Sequence, residues 1–493
     1  MNQLLTQTIG SAGFTGENSW RVEQATQAAV VIDAEDYFRA AREAMMKARH
    51  RIMLIGWDFD ARISLRGERL EPGEPKSVGE FILWLADRKP ELEIYLLRWD
   101  VGALKTLGRG STIWTTMKWM WHKRIHTKLD GVHPTGGSHH QKIVVVDDCF
   151  AFCGGIDMTS DRWDTRKHAD DERGRLKPNG KPHGPWHDAT TALEGPVAAA
   201  LGQLGRERWR RATGEELEAI AGVADCWPSY LKPHFRDVPV AVSRTIPLCA
   251  GVEEVREIEQ LYLDLIGSAK HFIYAESQYF ASRKIAEAIA IRLKEADPPE
   301  IVLVNPLSAD GWLEPIAMDT ARARLFEALR RIDHKQRFRL YHPQTEAGEP
   351  IYVHAKIMVV DDQVLRIGSS NMNNRSLGLD TECDVTFDSR RSGSRADEDT
   401  IRAIRIGLIA EHLGRDEEEV AARIEAERSM IAAIEGLRGT GRTLVPYEID
   451  NLNAVEKWLA DNEVLDPETP NEMFELTATR GLFRRRWFGR HTR

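Results

Sequence analysis

The chain contains one sequence pattern twice, and this repeat restricts its fold more than any other feature. Residues 139–157 read HHQKIVVVDDCFAFCGGID, and residues 353–371 read VHAKIMVVDDQVLRIGSSN. The shared His, Lys, Asp and Gly positions keep a constant separation, which for His140 and His354 is 354 − 140 = 214 residues. A constant separation indicates a duplicated unit, so we predict a structure built from two similar halves.

The segments before each repeat follow one order of helix and strand. In the first half a helical pattern over 33–50 precedes two short β-rich runs, at 51–60 and 93–100. The second half has matching β-rich runs at 271–280 and 300–307. Alternation of helices with short apolar strands predicts an α/β fold.

The length of 493 residues exceeds what one hydrophobic core usually supports. We therefore predict an N-terminal extension at 1–30, a first half at 31–225, a second half at 226–415, and a C-terminal helical region with a basic tail at 416–493. The boundary between the halves is placed where three prolines interrupt the helical periodicity, in CWPSYLKPHFRDVPV.

The repeated motif places an imidazole and an ammonium on one side of the chain. Side chains alternate along a strand, so His140 and Lys142 project to the same face, as do His354 and Lys356. Such a pair suits a phosphodiester, because lysine can hold the anionic oxygens while histidine attacks phosphorus or moves a proton. The two motifs are therefore the candidate catalytic centre.

Both motifs have the form His-x-Lys-x-x-x-x-Asp and resemble the paired signature of the phospholipase D superfamily. Four further segments are similar to eukaryotic-like phospholipases D: GGIDMTSDRWDT (154–165), PWHDATTALEGP (185–196), ESQYF (276–280) and GSSNMNNRS (368–376). The resemblance covers about residues 30–415. It implies two pseudo-twofold-related halves, each a mixed β-sheet flanked by helices, with the active site at their junction.

By this resemblance the reaction is metal-independent and passes through a covalent phosphohistidine. One histidine attacks phosphorus and the other protonates the leaving alcohol, after which water or another alcohol releases the phosphatidyl group. Family habit assigns His140 as nucleophile and His354 as general acid and base, although the near symmetry of the motifs leaves the reverse order open. Lys142 and Lys356 would hold the phosphoryl oxygens.

Two carboxylates match the residues that orient the histidines in the family, since a carboxylate behind an imidazole selects its tautomer. Asp188 resembles the acid that orients the first histidine, and Glu382 matches the acid that follows the Gly-Ser-x-Asn segment. An ordinary surface carboxylate is the alternative for either. Asn371 is a further phosphate donor, whereas Asp157 holds the corresponding place in the first half and cannot donate when ionised.

Five further residues complete the predicted site. Asp147 and Asp361 end the two motifs and belong to the catalytic signature, but on a regular strand they face away from the lysines. We expect them to support the fold instead of touching substrate. Trp57, Glu276 and Tyr279 stand at strand ends that would face the cleft as substrate-binding residues, with core packing as the alternative for the two aromatic side chains.

No cofactor or metal is expected. His183 and His187 are close in sequence, and Cys149 and Cys153 are four residues apart, but no second pair stands at zinc-site spacing. We interpret the five cysteines as reduced and mostly buried thiols, which fits a cytoplasmic protein.

The balance of charge disfavours a nucleic-acid substrate. The formal net charge is −9 and the sequence pI is about 6.0, so the chain lacks a global basic field for a polyanion. The N-terminus lacks the pattern of a secretory signal, and no segment approaches the roughly 18 apolar residues of a membrane span. We expect a cytoplasmic or membrane-peripheral protein, with export without a cleavable signal still open. A monomer is compatible with the sequence, which does not determine the oligomeric state.

Two segments combine aromatic and basic residues in a way that suits a membrane surface. IWTTMKWMWHKRIHTK (113–128) has the composition of an interfacial helix, and GLFRRRWFGRHTR (481–493) is basic and aromatic. Packing in the core and a disordered tail are the alternatives. The expected partners are thus a phospholipid at a membrane surface and water or an alcohol as acceptor.

The leading hypothesis is a phospholipase D that hydrolyses the distal phosphodiester of glycerophospholipids to phosphatidic acid and a free head group, with transphosphatidylation as a related reaction. A cardiolipin-synthase-type phosphatidyltransferase would use the same residues, although the missing N-terminal membrane anchor counts against it. A nuclease or another phosphodiesterase of the superfamily is a third hypothesis, and a non-catalytic interaction protein a fourth. The short segment before the catalytic region leaves no room for eukaryotic lipid-binding modules, which favours a bacterial source.

Overall fold

The computed structural model describes seven stretches of the chain. They are residues 14–65, 73–100, 112–223, 225–249, 251–308, 318–392 and 395–448. The predicted basic tail at 481–493 lies outside the described residues. No helix among those described combines the length and the apolar character that crossing a bilayer requires.

Strands and helices alternate in the first half. The elements are β1 (Arg21–Ile32), α1 (Ala34–Lys47), β2 (Arg51–Gly56), α2 (Val78–Arg88), β3 (Glu93–Trp99), α3 (Thr112–Trp121), β4 (Ile125–Asp130), β5 (Ile143–Val146), β6 (Phe150–Gly154), β7 (Trp186–His187), β8 (Ala189–Glu194) and α4 (Pro196–Thr213).

The second half repeats this order and continues into further helices. The elements are β9 (Phe235–Ile246), β10 (Val255–Arg256), α5 (Glu257–Ser268), β11 (Phe272–Glu276), α6 (Arg283–Leu293), β12 (Glu300–Val304), α7 (Thr320–Ile332), β13 (Phe338–Gln344), β14 (Tyr352–Val353), β15 (Ile357–Val360), β16 (Val364–Gly368), a π-helical turn (Arg375–Leu379), β17 (Glu382–Asp388), α8 (Ser389–Ser392), α9 (Arg395–Leu413), α10 (Glu417–Glu427), α11 (Met430–Leu437) and β18 (Thr443–Pro446).

Apart from β7 and β14, which pair with each other in a separate two-stranded sheet, the strands form one mixed sheet that follows the same order outward from its centre in both halves. The order is β18-β13-β12-β11-β15-β16-β17-β9-β1-β8-β6-β5-β2-β3-β4, with β10 paired to β9. β1 and β9 pair antiparallel at the centre. In each half three parallel strands lie farther out, β2-β3-β4 in the first and β11-β12-β13 in the second. This confirms the predicted α/β fold of two related halves.

Side-chain alternation along the strands divides the core into layers. In β2, Met53 and Ile55 pack in a large cluster that extends through both halves, whereas Ile52 and Leu54 pack on the opposite face with α1 and α2. In β11, Ile273 packs in the corresponding outer cluster of the second half. The shared cluster joins the halves through one continuous apolar layer, so the residues at their junction are held by packing from both sides.

The N-terminal boundary that the sequence suggested has to move. β1 begins at Arg21, so part of the predicted extension at 1–30 belongs to the central sheet. The predicted division at 225 falls between the end of α4 and the start of β9. Beyond the second half, β18 pairs with β13 and extends the sheet at its edge.

The aspartates that end the motifs hold the backbone together. The carboxylate of Asp147 accepts hydrogen bonds from the backbone N–H groups of three consecutive residues, Arg49, His50 and Arg51, at 2.6 to 2.8 Å. Asp361 accepts from Lys270, His271 and Phe272 in the same way, at 2.7 to 2.8 Å. Both aspartates have a positive φ, of 50° and 53°, in the turn after the motif strand. They tie this turn to the start of the neighbouring strand, so they are supporting residues and not part of the reacting site.

Candidate active site

Each motif histidine lies in an extended segment just before a buried strand. His140 and Lys142 precede β5, and His354 and Lys356 lie between β14 and β15. Lys142 Nζ donates to the carbonyl of His140 at 2.8 Å, and Lys356 Nζ makes the same contact with His354. The predicted pairing of an imidazole with an ammonium is therefore present in both halves.

Each histidine is oriented by a carboxylate from the other half. His354 Nδ1 lies 2.6 Å from Asp188 Oδ2. His140 Nδ1 lies 3.0 Å from both carboxylate oxygens of Glu382. The expectation that Asp188 orients the first histidine was wrong, because Asp188 contacts the second histidine and Glu382 contacts the first.

The exchange of partners follows from parallel pairing between the halves. β7 pairs with β14 so that His187 lies opposite Val353, and His139 pairs with Thr381 in an isolated parallel bridge. In the first pairing Asp188 follows His187 and His354 follows Val353. In the second, His140 follows His139 and Glu382 follows Thr381. The backbone N–H of His354 donates to His187 O at 2.7 Å, and that of His140 donates to Thr381 O at 3.0 Å.

The carboxylates are themselves held in place by groups that the sequence did not single out. Ser369 Oγ and Ser376 Oγ donate to Glu382, at 2.5 and 2.7 Å. Asp188 lies close against Gly155, where a Cβ atom would stand 2.2 Å from Asp188 Oδ1. The only signal for these three residues was their presence within the segments that resemble the family.

The electrostatics of the site favour binding of an anion. Burial, followed by the neighbouring Lys142 and Lys356, lowers the pKa of His140 well below its ordinary value. Burial and then Lys356 do the same to the pKa of His354. Burial also lowers the pKa of Lys356 to about 7, although Asp188 opposes this shift. A phosphate anion between these groups would offset their mutual repulsion and favour a protonated imidazole.

The remaining predicted phosphate ligands lie beside the two lysines. Asp157 Oδ2 is 3.2 Å from Lys142 Nζ, so this carboxylate pairs with the ammonium of its own half. Asn371 Nδ2 donates to Gln278 Oε1 at 3.4 Å, and Lys356 Nζ donates to the same oxygen at 3.3 Å. Gln278 belongs to the ESQYF segment but was missed as a site residue.

Aromatic side chains line both sides of the histidine pair. Trp57 stacks on Trp99 with ring centroids 6.0 Å apart and meets His140 edge-on at 6.4 Å. On the other side, the ring centroid of Trp186 lies 5.3 Å from that of His354, and Trp186 stacks on Tyr352 with ring centroids 4.5 Å apart. Trp57 is only half-buried, which favours its predicted place at the cleft over core packing.

Glu276 does not face the cleft, contrary to our expectation. Its side chain is fully buried at the end of β11, between His187 Nε2 at 2.7 Å and His412 Nε2 at 3.0 Å. Burial would raise the pKa of Glu276, but the two imidazoles outweigh it and hold that pKa well below the ordinary value. A strand-end position alone does not decide which face a side chain takes, so Glu276 is a core residue beneath the site.

Four buried side chains near Glu276 form a donor cluster: Asp33, His168, His187 and Glu411. His168 Nε2 lies 3.5 Å from Asp33 Oδ2 and 3.2 Å from Glu411 Oε1. His187 Nδ1 lies 3.2 Å from Asp33 Oδ1 and 2.9 Å from Glu411 Oε1. Two imidazole nitrogens and two carboxylates at such separations could hold a divalent cation.

The same donor cluster is also consistent with a cation-free arrangement of charged pairs. Burial lowers the pKa of His168, but Asp33 and the neighbouring carboxylates outweigh it and raise that pKa to about 9. Sequence spacing offered no signal for the cluster, because its members come from distant parts of the chain. His183, which is close to His187 in sequence, is not part of the cluster and contacts Gly184 O through Nδ1 at 2.9 Å.

The donor cluster is joined directly to Asp188, the carboxylate that contacts His354. Asp33 Oδ1 accepts the backbone N–H of Asp188 at 3.0 Å, and the backbone N–H of Asp33 donates to Asp188 O at 2.8 Å. Asp33 stands at the start of α1 with a φ of 63°, and its carboxylate makes no capping bond to that helix. Its side chain holds the segment that presents Asp188 to His354.

Paired histidine, lysine and carboxylate groups at the junction of two related halves define a class of enzyme site made for phosphoryl chemistry. Two family models match the chain: "Phospholipase D" over residues 44–302 and "Cardiolipin synthase, PLD-like domain" over residues 262–402. The protein belongs to the phospholipase D superfamily.

Curated relatives include the plant proteins named Phospholipase D alpha 1. The protein from Carica papaya is 24% identical over 518 residues, and that from Arabidopsis thaliana is 25% identical over 525 residues. Each match covers 77% of this chain and 63% of the relative, so the chain spans less than two thirds of these proteins.

The fold is also shared with a solved structure. Phosphatidylserine synthase from Haemophilus influenzae Rd KW20 aligns with a TM-score of 0.52 and 13% identity, over 77% of this chain and 87% of that one. This match supports the α/β fold of the superfamily.

Proposed function

We propose that the protein is a phospholipase D that hydrolyses the distal phosphodiester of glycerophospholipids to phosphatidic acid and a free head group. The observation that carries this proposal is the crossed arrangement of His140 with Glu382 and His354 with Asp188. In both pairs Nδ1 faces a carboxylate, which leaves Nε2 as the reactive nitrogen. The plant relatives support the lipid substrate.

In the first step His140 Nε2 attacks phosphorus, and a P–N bond forms as the P–O bond to the head group breaks. The leaving oxygen takes the Nε2 proton of His354, whose imidazolium form is stabilised by Asp188. Lys142 and Lys356 hold the phosphoryl oxygens and stabilise the charge that develops on them. His140 suits the role of nucleophile because it is the more exposed of the two, at 16% of its side chain against 6% for His354.

In the second step neutral His354 takes a proton from water, and the water oxygen attacks the phosphohistidine. The P–N bond breaks, phosphatidic acid leaves, and both histidines return to their starting states. An alcohol in place of water would give a new phosphatidyl ester by the same route. No step requires a bound metal, and the donor cluster around Asp33 has a positioning role only.

The proposal is tested with the purified protein and labelled phosphatidylcholine and phosphatidylethanolamine vesicles, with and without EDTA. We expect head-group release that survives EDTA and disappears in His140→Ala and His354→Ala. His334→Ala, which removes an exposed imidazole from the loop between α7 and β13, is the matched control and should keep full activity. Cleavage of single-stranded DNA without any lipid turnover would refute the proposal.

An activated substrate separates the roles of the two histidines. In His354→Asn, phosphatidyl-p-nitrophenol needs no protonated leaving group, so His140 should release about one equivalent of p-nitrophenol and stay phosphatidylated. His140→Asn should show no such burst. The reverse pattern would assign the nucleophile to His354.

A phosphatidyltransferase of the cardiolipin-synthase type is the second candidate, because the model that matches residues 262–402 carries that description. The two functions differ in the acceptor. With phosphatidylglycerol vesicles, a transferase would form cardiolipin and release glycerol, whereas a hydrolase would form phosphatidic acid. Product analysis by mass spectrometry distinguishes them.

A further inference from the structure

Helix α3 is firmly attached to the protein along one side. Trp119 is almost fully buried, donates its indole N–H to Gly79 O at 3.0 Å, and packs edge-on against Phe59 with ring centroids 5.7 Å apart. Gly79 lies at the start of α2, so one tryptophan fixes α3 against that helix. The opposite side of α3 is therefore presented to solvent in a defined orientation.

That opposite side is apolar. Trp114, Met120 and Trp121 are 69%, 69% and 77% exposed, and they are three of the eight large hydrophobic side chains exposed among the described residues. Trp114, Lys118 and Trp121 recur at spacings of four and three residues, so they form one stripe along the helix. Exposed apolar surface on this scale indicates a surface that meets an apolar partner.

Exposed lysines lie in the stripe and in the segment that follows it, with Lys118 in the stripe, Lys123 just after α3 and Lys128 on β4. Lys118, Lys123 and Lys128 are exposed, in a chain whose formal net charge is −9. Along the chain the nearest acidic residue, Asp130, is buried and paired with Arg208. The acidic residues that reach this segment from neighbouring elements, Asp87 and Glu93, face His122 and His126 and not the lysines. Indole rings with lysines on one face match the interface of a bilayer with anionic lipids, where tryptophan lies at head-group depth and lysine meets phosphate.

The position of α3 is compatible with access to the site. α3 connects β3 to β4, and β3 ends at Trp99, which stacks on Trp57 beside His140. Thr115 of α3 lies against Gly79, whose backbone N–H donates to Ala61 O a few residues after β2 ends, so the start of α3 lies at the end of the sheet where the cleft is. Leu129, 50% exposed near the end of β4, adds an apolar side chain at that same end.

We propose that α3 docks the protein on the surface of an anionic phospholipid bilayer. Trp114, Met120 and Trp121 enter the interfacial layer, and Lys118, Lys123 and Lys128 lie against lipid phosphates. This rests on the proposed function in that the bilayer presents the substrate.

The test is sedimentation with vesicles, in a His140→Ala background so that no lipid is consumed. Vesicles of equal parts phosphatidylglycerol and phosphatidylcholine are compared with pure phosphatidylcholine. We expect binding to the anionic vesicles that weakens in high salt. The variant Trp114→Ser/Met120→Ser/Trp121→Ser should lose at least roughly tenfold in partition coefficient. Lys118→Gln/Lys123→Gln/Lys128→Gln should lose roughly fivefold for each lysine.

The control variant Leu176→Ser/Ile291→Ser removes two exposed apolar side chains elsewhere, and it should bind like the parent. Thermal unfolding of all variants checks that they fold. Unchanged vesicle binding by the α3 variants would overturn the docking proposal. A parent protein that self-associates through α3 and does not bind vesicles would also overturn it.

Turnover distinguishes docking from the proposed function. With the native His140, the α3 variants should hydrolyse monomeric short-chain phosphatidylcholine at the parental rate while turning over vesicles more slowly. Vesicle binding without hydrolysis of either substrate would refute the phospholipase proposal and leave docking supported. An equal loss of hydrolysis rate on the monomeric and the vesicle substrate would overturn docking as the role of α3.

Discussion

His354 Nδ1 lies 2.6 Å from Asp188 Oδ2, although 166 residues separate the two along the chain. His140 has the corresponding contact with Glu382 across 242 residues. Neither motif histidine therefore takes its orienting carboxylate from its own half. Catalysis by this arrangement depends on the docking of the two halves and not on either motif alone.

Asp188→Asn should keep the geometry of the site but lower kcat roughly 10³- to 10⁴-fold, because an amide cannot stabilise the imidazolium of His354. KM on monomeric phosphatidylcholine should change little. Asp297→Asn, at a carboxylate 95% exposed, is the control and should behave like the parent. An Asp188→Asn enzyme with parental kcat would show that Asp188 has no role in the reaction.

The pH dependence of kcat/KM should reflect the loss of the proton from Lys356. Burial lowers its pKa to about 7, so the ammonium is lost as the pH rises through that value, and phosphate binding should weaken on the alkaline side. In Lys356→Arg the charge persists, so the alkaline decrease should disappear even if the absolute rate is lower. Rates on a monomeric substrate from about pH 5 to about pH 10 test this, since kcat/KM reflects the free enzyme. A wild-type value still rising near the upper limit would contradict it.

Asp33→Ala should lower kcat roughly tenfold to a hundredfold, because it releases the backbone N–H of Asp188 and lets the carboxylate shift. Asp33→Asn keeps the acceptor oxygen and should recover most of this loss. The ratio of kcat between the two variants is the measurement. Equal loss in both would indicate that the charge of Asp33, and not its hydrogen bond, is what matters.

Glu276→Gln should reduce stability more than catalysis. Removing one charge from the buried contacts with His187 and His412 should cost about 3–5 kcal/mol in the free energy of unfolding. KM should stay at the parental value, because Glu276 lies beneath the cleft. Denaturant unfolding together with steady-state kinetics checks both. A raised KM with unchanged stability would restore our original expectation that Glu276 binds substrate.

Metal analysis of the purified protein would examine the donor cluster independently. If a divalent cation occupies it, chelation should lower the unfolding temperature of the parent and have no such effect on His168→Ala. A cation-free cluster predicts no response to chelator in either protein.

The repeat in the sequence predicted the two halves, the α/β alternation and the two histidines and two lysines that form the candidate site. These features are local: His140 and Lys142 belong to one short segment, and apolar periodicity reports burial of the elements around it. The supporting role of Asp147 and Asp361 was also visible, because their distance from the lysines along the strand placed them on the other face.

Only the tertiary structure shows which residues from distant parts of the chain contact each other. The sequence led us to assign Asp188 to the wrong histidine and Glu276 to the wrong side of its strand. It gave no sign that Asp33, His168 and Glu411 lie together. Each outcome depends on which segments pair across the junction, as when β7 aligns His187 with Val353. Pairing register at the junction is decided by how the two halves pack against each other, so a sequence alone shows the reactive groups but not which carboxylate contacts which imidazole.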